Sequence, residues 1–441
     1  MRRHRANLPT RLRPGSQRDD EQGIVIVLVA VFMLFVIGAM AALSIDVVTL
    51  YTARSEAQLA ADAAALAAAR VLANSGATSD TIGASMGVAQ ARASSVATQV
   101  ARQNLVGGAN LTAAEVLPPV YGGTITNPTV TVTVQKTDLP TFFARIWGRT
   151  AIAVSASATA EAYNPSPNPL GAPTSPPLPV APMCVKPWLL PNIDPSNPGN
   201  PIFDTTAGTI KTTTLLGWTT PLPPPPNPTR LKLACGPPTT LNPGDCSTLP
   251  APAFWQYYPG DPASFPAPTQ ALPACVPVLT KPYQESVAGC IQTPISCNSQ
   301  VNIDTSIYDT RNAETAAAVT CLTHAAADKG DKVDLTGGPN PPFQFLAGDD
   351  NPIAGLAGND VMVSDSLVTV PVFNSGGAAP TNPVTIIGFV QLFLAPQGLV
   401  TPPSGHMRTT VINLAGCGTN ATGTAILGNG ASPVAVRLIS P

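Results

Sequence analysis

A run of 22 residues without a charged side chain, from Ile24 to Ile45, constrains this chain more than any other feature. As a helix it would extend about 33 Å, which is enough to cross the hydrocarbon core of a bilayer. Six arginines occur in residues 1–18, and no acidic residue precedes Asp19. This distribution predicts a basic cytoplasmic head at residues 1–22, a single membrane span at 23–45, and all later residues outside the cytoplasm.

Two other interpretations of the apolar run remain open. One is a cleaved signal peptide, because Ala39-Met40-Ala41 has the small residues that a signal peptidase accepts. The other is the buried helix of a soluble domain. However, the run is longer than a usual signal core, and no glycine or proline occurs between Gly38 and Gly76. We therefore predict one continuous helix over about residues 23–73.

Alanine dominates the half of this helix that follows the span. Of the 19 residues from 52 to 70, ten are alanine. At 100° per residue the larger polar side chains share one arc, and the rest of the circumference is mostly small. Small side chains let another backbone approach closely. This pattern predicts packing against a partner helix, in this chain or another. The alternative is a solvated stalk that alanine merely keeps helical.

The order of residues along this helix resembles the N-terminal segment of the TadE/TadG-like Flp pilus-assembly family. The residues that carry the resemblance are Gly23, Asp46, Tyr51, Arg54, Gln58, Ala61, Asp62, Ala64 and Ala65. The resemblance covers only this segment of the chain. It implies an integral membrane protein of a tight-adherence (Flp) pilus system, with a structural or assembly role. The alanine-rich helix would then contact other Tad/Flp proteins or, by self-association, a second copy.

Residues 46–163 predict a small α+β domain that contains the alanine-rich helix. A second amphipathic helix is expected within residues 79–105. Strict alternation of apolar and polar residues predicts strands at 129–134 and 151–160, with a short helix at 141–147 between them.

The composition changes after residue 163, where 44 of the 50 prolines and all eight cysteines lie. Eight prolines within residues 164–183 predict a stiff, extended linker. We expect a Cys/Pro-rich, loop-rich region at 184–300 and a mostly-β module at 301–441. The module's strands would be 366–373, 384–394, 409–414 and 434–439, with a helix at 313–327. The overall fold class is α+β, with a long membrane helix and an exported module.

The cysteines predict an oxidising, periplasmic or extracellular compartment, because none precedes the expected exit from the membrane. They are Cys184, Cys235, Cys246, Cys275, Cys290, Cys297, Cys321 and Cys417. Their closeness in sequence favours Cys235–Cys246 and Cys290–Cys297 as disulfides, with free thiols as the alternative. No C-x-x-C pair exists, and Cys321 and His324 form a lone C-x-x-H pair, so we expect no zinc site.

Composition and motifs argue against two broad classes of function. A formal net charge of −2 with 11% charged residues disfavours a nucleic-acid partner. The chain has three histidines and neither a G-x-S-x-G nor an H-E-x-x-H motif, so we expect no enzyme and no cofactor. The sequence predicts a non-catalytic assembly component of the inner (cytoplasmic) membrane, whose partners are the lipid bilayer and pilus proteins. The alternative is a membrane-tethered binding or adhesion module outside the cytoplasm.

Overall fold

A computed structural model describes residues 18–141, 143, 148, 151–167, 178–197, 199–212, 214–220, 227–233, 255–269, 272, 275–276, 278–304, 311–324, 329–335, 338, 340–375, 380–395, 406–419, 421–428 and 430–440. The helices are α1 (Arg18–Asn74), α2 (Met86–Gln103), α3 (Pro282–Ala288) and α4 (Arg311–Leu322). The strands are β1 (Leu105–Val106), β2 (Ala109–Asn110), β3 (Val120–Gly123), β4 (Pro128–Pro140), β5 (Ala151–Tyr163), β6 (Val180–Pro182), β7 (Trp188–Pro191), β8 (Thr219–Thr220), β9 (Asn227–Leu233), β10 (Trp255–Pro259), β11 (Gln300–Val301), β12 (Lys332–Asp334), β13 (Gln344–Leu346), β14 (Asp360–Val361), β15 (Leu367–Phe373), β16 (Val384–Leu394), β17 (His406–Gly416), β18 (Ile426–Gly428) and β19 (Ala435–Ser440).

The helix α1 is continuous over 57 residues, and its alanine-rich half follows the apolar run without a break. The apolar side chains of its first half are exposed, Leu34 and Phe35 to 73% and 76%. Within the described residues it is the one helix long and apolar enough to cross a membrane. A surface of this kind is stable in lipid rather than in water.

The second half of α1 packs on α2 and on an antiparallel sheet of strand order β19-β5-β4-β3. The long strands β4 and β5 form the centre of this sheet, where Val130 faces Ala160 and Val134 faces Ala156. Both predicted strands and the predicted second helix are therefore present. The short helix expected at 141–147 lies mostly outside the described residues.

The part of the chain from residue 184 onward is built around six strands that form a hydrogen-bonded ring in the order β7-β15-β16-β17-β9-β10, with β10 pairing back to β7. Ring closure removes the exposed strand edges that would otherwise pair with other chains. The strands expected at 366–373 and 384–394 are β15 and β16, which pair with each other in antiparallel orientation. Three of the six ring strands come from residues 184–300, so the region expected to be loop-rich supplies half of the ring.

Residues 168–177 of the expected linker lie outside the described residues, but the two ends of the linker and the expected boundary at residue 163 differ from the prediction. Asn164 and Ser166 are buried, and β6 pairs in parallel with β18 near the C-terminal end. The C-terminal strand β19, expected in the outer module, instead pairs with β5, where Ala435 faces Tyr163. Prolines prevent regular structure locally, but they do not prevent the flanking residues from packing. The N-terminal part, up to residue 163, and the C-terminal end of the chain therefore share a sheet.

Three disulfides lie in the described residues: Cys184–Cys290, Cys275–Cys321 and Cys297–Cys417. The predicted pair Cys290–Cys297 is wrong, because the folded ring brings each of these cysteines to a distant partner. The predicted pair Cys235–Cys246 lies outside the described residues. Two of the bridges close loops of 106 and 120 residues. In the chain-entropy account, the contribution of a disulfide to folding stability increases with the length of the loop that it closes. Loops of this length correspond to about 4 kcal/mol or more.

Candidate functional site

The alanines of α1 form a buried interface inside this chain. Ala61, Ala64 and Ala65 are fully buried. They belong to one core with the alanines of α2 that repeat every fourth residue and with the inward-facing residues of the sheet, which are Ala89, Ala93, Ala97, Ala101, Val130, Val132, Val134, Ala156, Ala158, Ala160 and Ala162. Alanine side chains end at Cβ, so the two helices and the sheet approach closely.

The sequence predicted packing of the alanine face against a partner helix, in this chain or another, and the structure shows the first of these alternatives. The partner of the alanine face is α2 together with the sheet of the same chain. Because the face is filled, it has no room for another Tad/Flp protein or for a second copy of the chain.

The polar residues Gln58 and Asp62 join α1 to the sheet. The Gln58 Nε2 donates to Asp62 Oδ1 at 2.8 Å and to the backbone oxygen of Ser157 at 3.2 Å. Ser157 lies in β5, so the amide bridges one helical turn and one strand. These two positions orient the helix on the sheet.

Asp46 is the first charged residue after the apolar run, and it is buried rather than exposed to solvent. Its Oδ2 accepts a hydrogen bond from the backbone amide of Phe143 at 3.1 Å. Phe143 lies in the connection between β4 and β5. The carboxylate therefore ties this connection to α1 at the end of the apolar run.

Three residues of the sequence signature are exposed. The exposed fraction of Tyr51 is 73%, and Arg54 and Gly23 are also exposed. A Cβ added at Gly23 would have nothing within 4 Å. The structure therefore brings the signature alanines, Gln58, Asp62 and Asp46 into contact with the folded part of the chain, and it leaves Gly23, Tyr51 and Arg54 on the surface.

A cavity of about 320 Å³ lies beside α1 where the helix leaves the apolar run, and we call it the exit cavity. Its apolar walls come from Leu50 on α1, Leu139 and Pro140 at the end of β4, and Ile152 on β5. Glu56 lines it as well, and its Oε2 accepts the backbone N–H of Gly107 at 2.7 Å.

Sequence reasoning did not identify Glu56 or Gly107 as parts of a site. The available signal in the sequence was the Gly107-Gly108 pair, because glycine adopts without strain the positive φ that both residues have in the structure. That turn places the Gly107 backbone amide against the helix.

A buried polar network joins the end of α1 to the ring of strands. Asn413 on β17 donates to the backbone oxygen of Ala73 at 2.7 Å and to Gln391 Oε1 at 2.5 Å. Gln391 in turn donates to Asn74 Oδ1 at 3.1 Å. In the sequence, the signal for this network is a single amide side chain inside each of two strands, Gln391 in β16 and Asn413 in β17. Buried amides require partners, so this network fixes how the two parts meet.

The described residues contain no cluster of three or more histidine, cysteine, aspartate or glutamate side chains that could hold a metal ion. Cys321 is bonded to Cys275, so the C-x-x-H pair is not a thiolate–imidazole pair. The His324 Nε2 instead lies 3.1 Å from Asp365 Oδ2.

Comparison with known proteins gives one result that bears on function. No curated protein and no solved structure matches the chain. Residues 23–71, which comprise the apolar run and nearly all of the alanine-rich half of α1, match the family described as putative Flp pilus-assembly TadE/G-like.

Proposed function

We propose that this chain is a membrane-anchored, non-catalytic component of the apparatus that assembles a Flp-type pilus. The observation that carries the proposal is the family match over residues 23–71. That match coincides with the apolar half of α1 and with the residues that fasten its second half to the folded part.

The proposed orientation places the N-terminus in the cytoplasm and the folded part in the periplasm. Six arginines before the apolar run support this orientation, because basic residues are retained on the cytoplasmic side. The three disulfides support it independently, because disulfides persist in oxidising compartments.

The proposed mechanism is mechanical. An unbroken helix of 57 residues is about 85 Å long, and its second half is held by α2, β4 and β5. Such a helix transmits force between the membrane and the exported ring without a flexible joint. Contacts with other pilus components would use the remaining surface of the chain, because the alanine face is already filled.

Genetic replacement in the native host tests the role in assembly. We expect deletion of the gene to abolish surface pili and the full chain to restore them. A version whose residues 24–45 are replaced by a cleavable signal peptide, which releases the folded part, should not restore them. The matched control carries Ile24→Leu and Ile26→Leu, which keep the segment apolar and should restore pili.

Normal piliation of the deletion strain would overturn the proposal. If that strain also lost attachment to surfaces, the tethered adhesion module would be the better description.

A further inference from the structure

The exit cavity lies at the level where a lipid headgroup would meet the protein. It extends along α1 from Asp46 to Glu56. At 1.5 Å per residue, positions 46–50 lie within about 8 Å of the end of the apolar run. The headgroup layer on each side of a bilayer is about 5–8 Å thick. The lower part of the cavity therefore falls within that layer when α1 spans the membrane.

An apolar surface leads from the span into the cavity. Ile45, Val47 and Val48 are exposed to 48%, 41% and 63%, and Val48 itself lines the cavity. Asp46 does not interrupt this path, because its carboxylate is buried against the Phe143 amide. A lipid tail that lies along the span can thus continue onto Leu50, Leu139 and Ile152 without crossing a charged surface.

The charge of the cavity selects among lipids. Among the described residues that line it, the charged ones are Asp46 and Glu56, both carboxylates. Glu56 uses Oε2 for the Gly107 amide. A headgroup whose phosphate is its only charge would be repelled here, whereas one that also carries a primary ammonium would be attracted.

We propose that the exit cavity binds one phospholipid whose headgroup carries a primary amine. The upper part of its tail lies against Leu50, Leu139 and Ile152, and its amine faces the Glu56 carboxylate. This inference rests on the membrane anchorage in the proposed function. The lipid would fill the space between α1 and the adjoining ends of β4 and β5 and so stiffen the helix where it leaves the bilayer.

The test uses the full chain, purified in a mild detergent and analysed by native mass spectrometry with added phosphatidylethanolamine or phosphatidylglycerol. Thr52 is exposed and lines the cavity, so Thr52→Trp places an indole in the binding space. Ser55 is also exposed but does not line the cavity, so Ser55→Trp is the matched control. We expect Thr52→Trp to weaken phosphatidylethanolamine retention about tenfold and Ser55→Trp to leave it unchanged.

The charge is tested by Glu56→Gln, which keeps an oxygen to accept the Gly107 N–H. Wild type should retain phosphatidylethanolamine over phosphatidylglycerol, and Glu56→Gln should retain both about equally. Equal retention of phosphatidylethanolamine by Thr52→Trp and Ser55→Trp would overturn the inference. A preference of the wild type for phosphatidylglycerol would overturn it as well.

Alkaline carbonate extraction of cell membranes separates this inference from the proposed function. A chain that is released by carbonate is not anchored, and the proposed function then fails as well. A chain that stays in the membrane but retains no phosphatidylethanolamine contradicts the lipid site alone.

Discussion

At the scale of the single residue, Lys186 is an unusual ionisable group that lies outside the apolar half of α1. It is buried, and its Nζ donates to the backbone oxygens of Val287 at 2.6 Å and Gly289 at 2.8 Å. Burial lowers the pKa of Lys186 to about 7, although the negative charge of Asp365 acts in the opposite direction. The structure therefore keeps an amine in a place where its charged form is disfavoured.

This depressed pKa predicts how stability changes with pH. The pKa of an unfolded lysine is about 10.4, so between about pH 7 and 10 the unfolded chain binds more protons than the folded chain. The free energy of unfolding should rise with pH across this window, by a contribution on the order of 4 kcal/mol. Below about pH 7 both states are protonated, and this slope should vanish.

Lys186→Met removes the titration and should flatten the profile of unfolding free energy between pH 7 and 9, measured by denaturant titration in detergent. Loss of the two hydrogen bonds changes the absolute stability, so the slope is the quantity to compare. Lys332→Met is the control, because Lys332 is exposed and should keep the wild-type slope. An unchanged slope in Lys186→Met would show that the pH dependence of the unfolding free energy does not come from Lys186.

At the scale of the element, the interface between α1, α2 and the sheet depends on side chains that end at Cβ. Ala64 is fully buried in this interface, whereas its neighbour Ala63 is only half-buried. Ala64→Leu adds three carbon atoms where the backbones are close, and overpacking of this kind costs about 1–3 kcal/mol. Ala63→Leu adds the same atoms on the less crowded side.

We expect Ala64→Leu to lower the unfolding free energy by that amount and Ala63→Leu to change it by less than about 0.5 kcal/mol. Thermal denaturation of the full chain in detergent, followed by circular dichroism, measures both. Equal effects of the two substitutions would show that this helix face is not tightly packed in solution.

The sequence predicted these elements well because their signals are local. An uncharged run, an alanine-rich continuation and alternating Thr and Val in β4 each determine an element within its own residues. The element against which each of them packs cannot be predicted from its own residues. Nothing near Ala64 shows that α2 of the same chain covers it, and nothing near Ala435 shows that β19 joins β5. The pairing of Cys297 with Cys417 likewise depends on ring closure across 120 residues.

The candidate site could likewise be predicted only where its signals lie within a single helix. Asp46, Gln58 and Asp62 were identified from the order of residues along one helix. Glu56 and the exit cavity were not, because the cavity exists only where α1, the Gly107 turn and the ends of β4 and β5 come together. A cavity formed by four separate segments has no signature in any one of them.

At the scale of the whole molecule, the N-terminal part and the ring of strands meet where α1 ends. The chain leaves α1 through Gly76, whose φ is +82°, and enters a short 3₁₀ turn at Ala77–Ser79. A Cβ at Gly76 would lie 2.6 Å from the backbone oxygen of Ile412 on β17 and 3.0 Å from the ring of Phe343. Glycine is thus required here for two reasons, the left-handed backbone and the closeness of the ring strands.

Gly76→Ala tests whether this contact holds the two parts together, and Gly355→Ala is its matched control. The φ of Gly355 is +84°, but a Cβ there would have nothing within 4 Å. The control should therefore lose about 1–2 kcal/mol of unfolding free energy, which is the cost of the left-handed conformation alone. Gly76→Ala should lose a further 1–3 kcal/mol or so, because the backbone of β17 has to move.

Hydrogen exchange should then accelerate in β17 and in the last turn of α1 together, since Asn413 links them. If Gly76→Ala costs no more than Gly355→Ala, the two parts are not rigidly joined at this point, and the helix cannot transmit force to the ring through it.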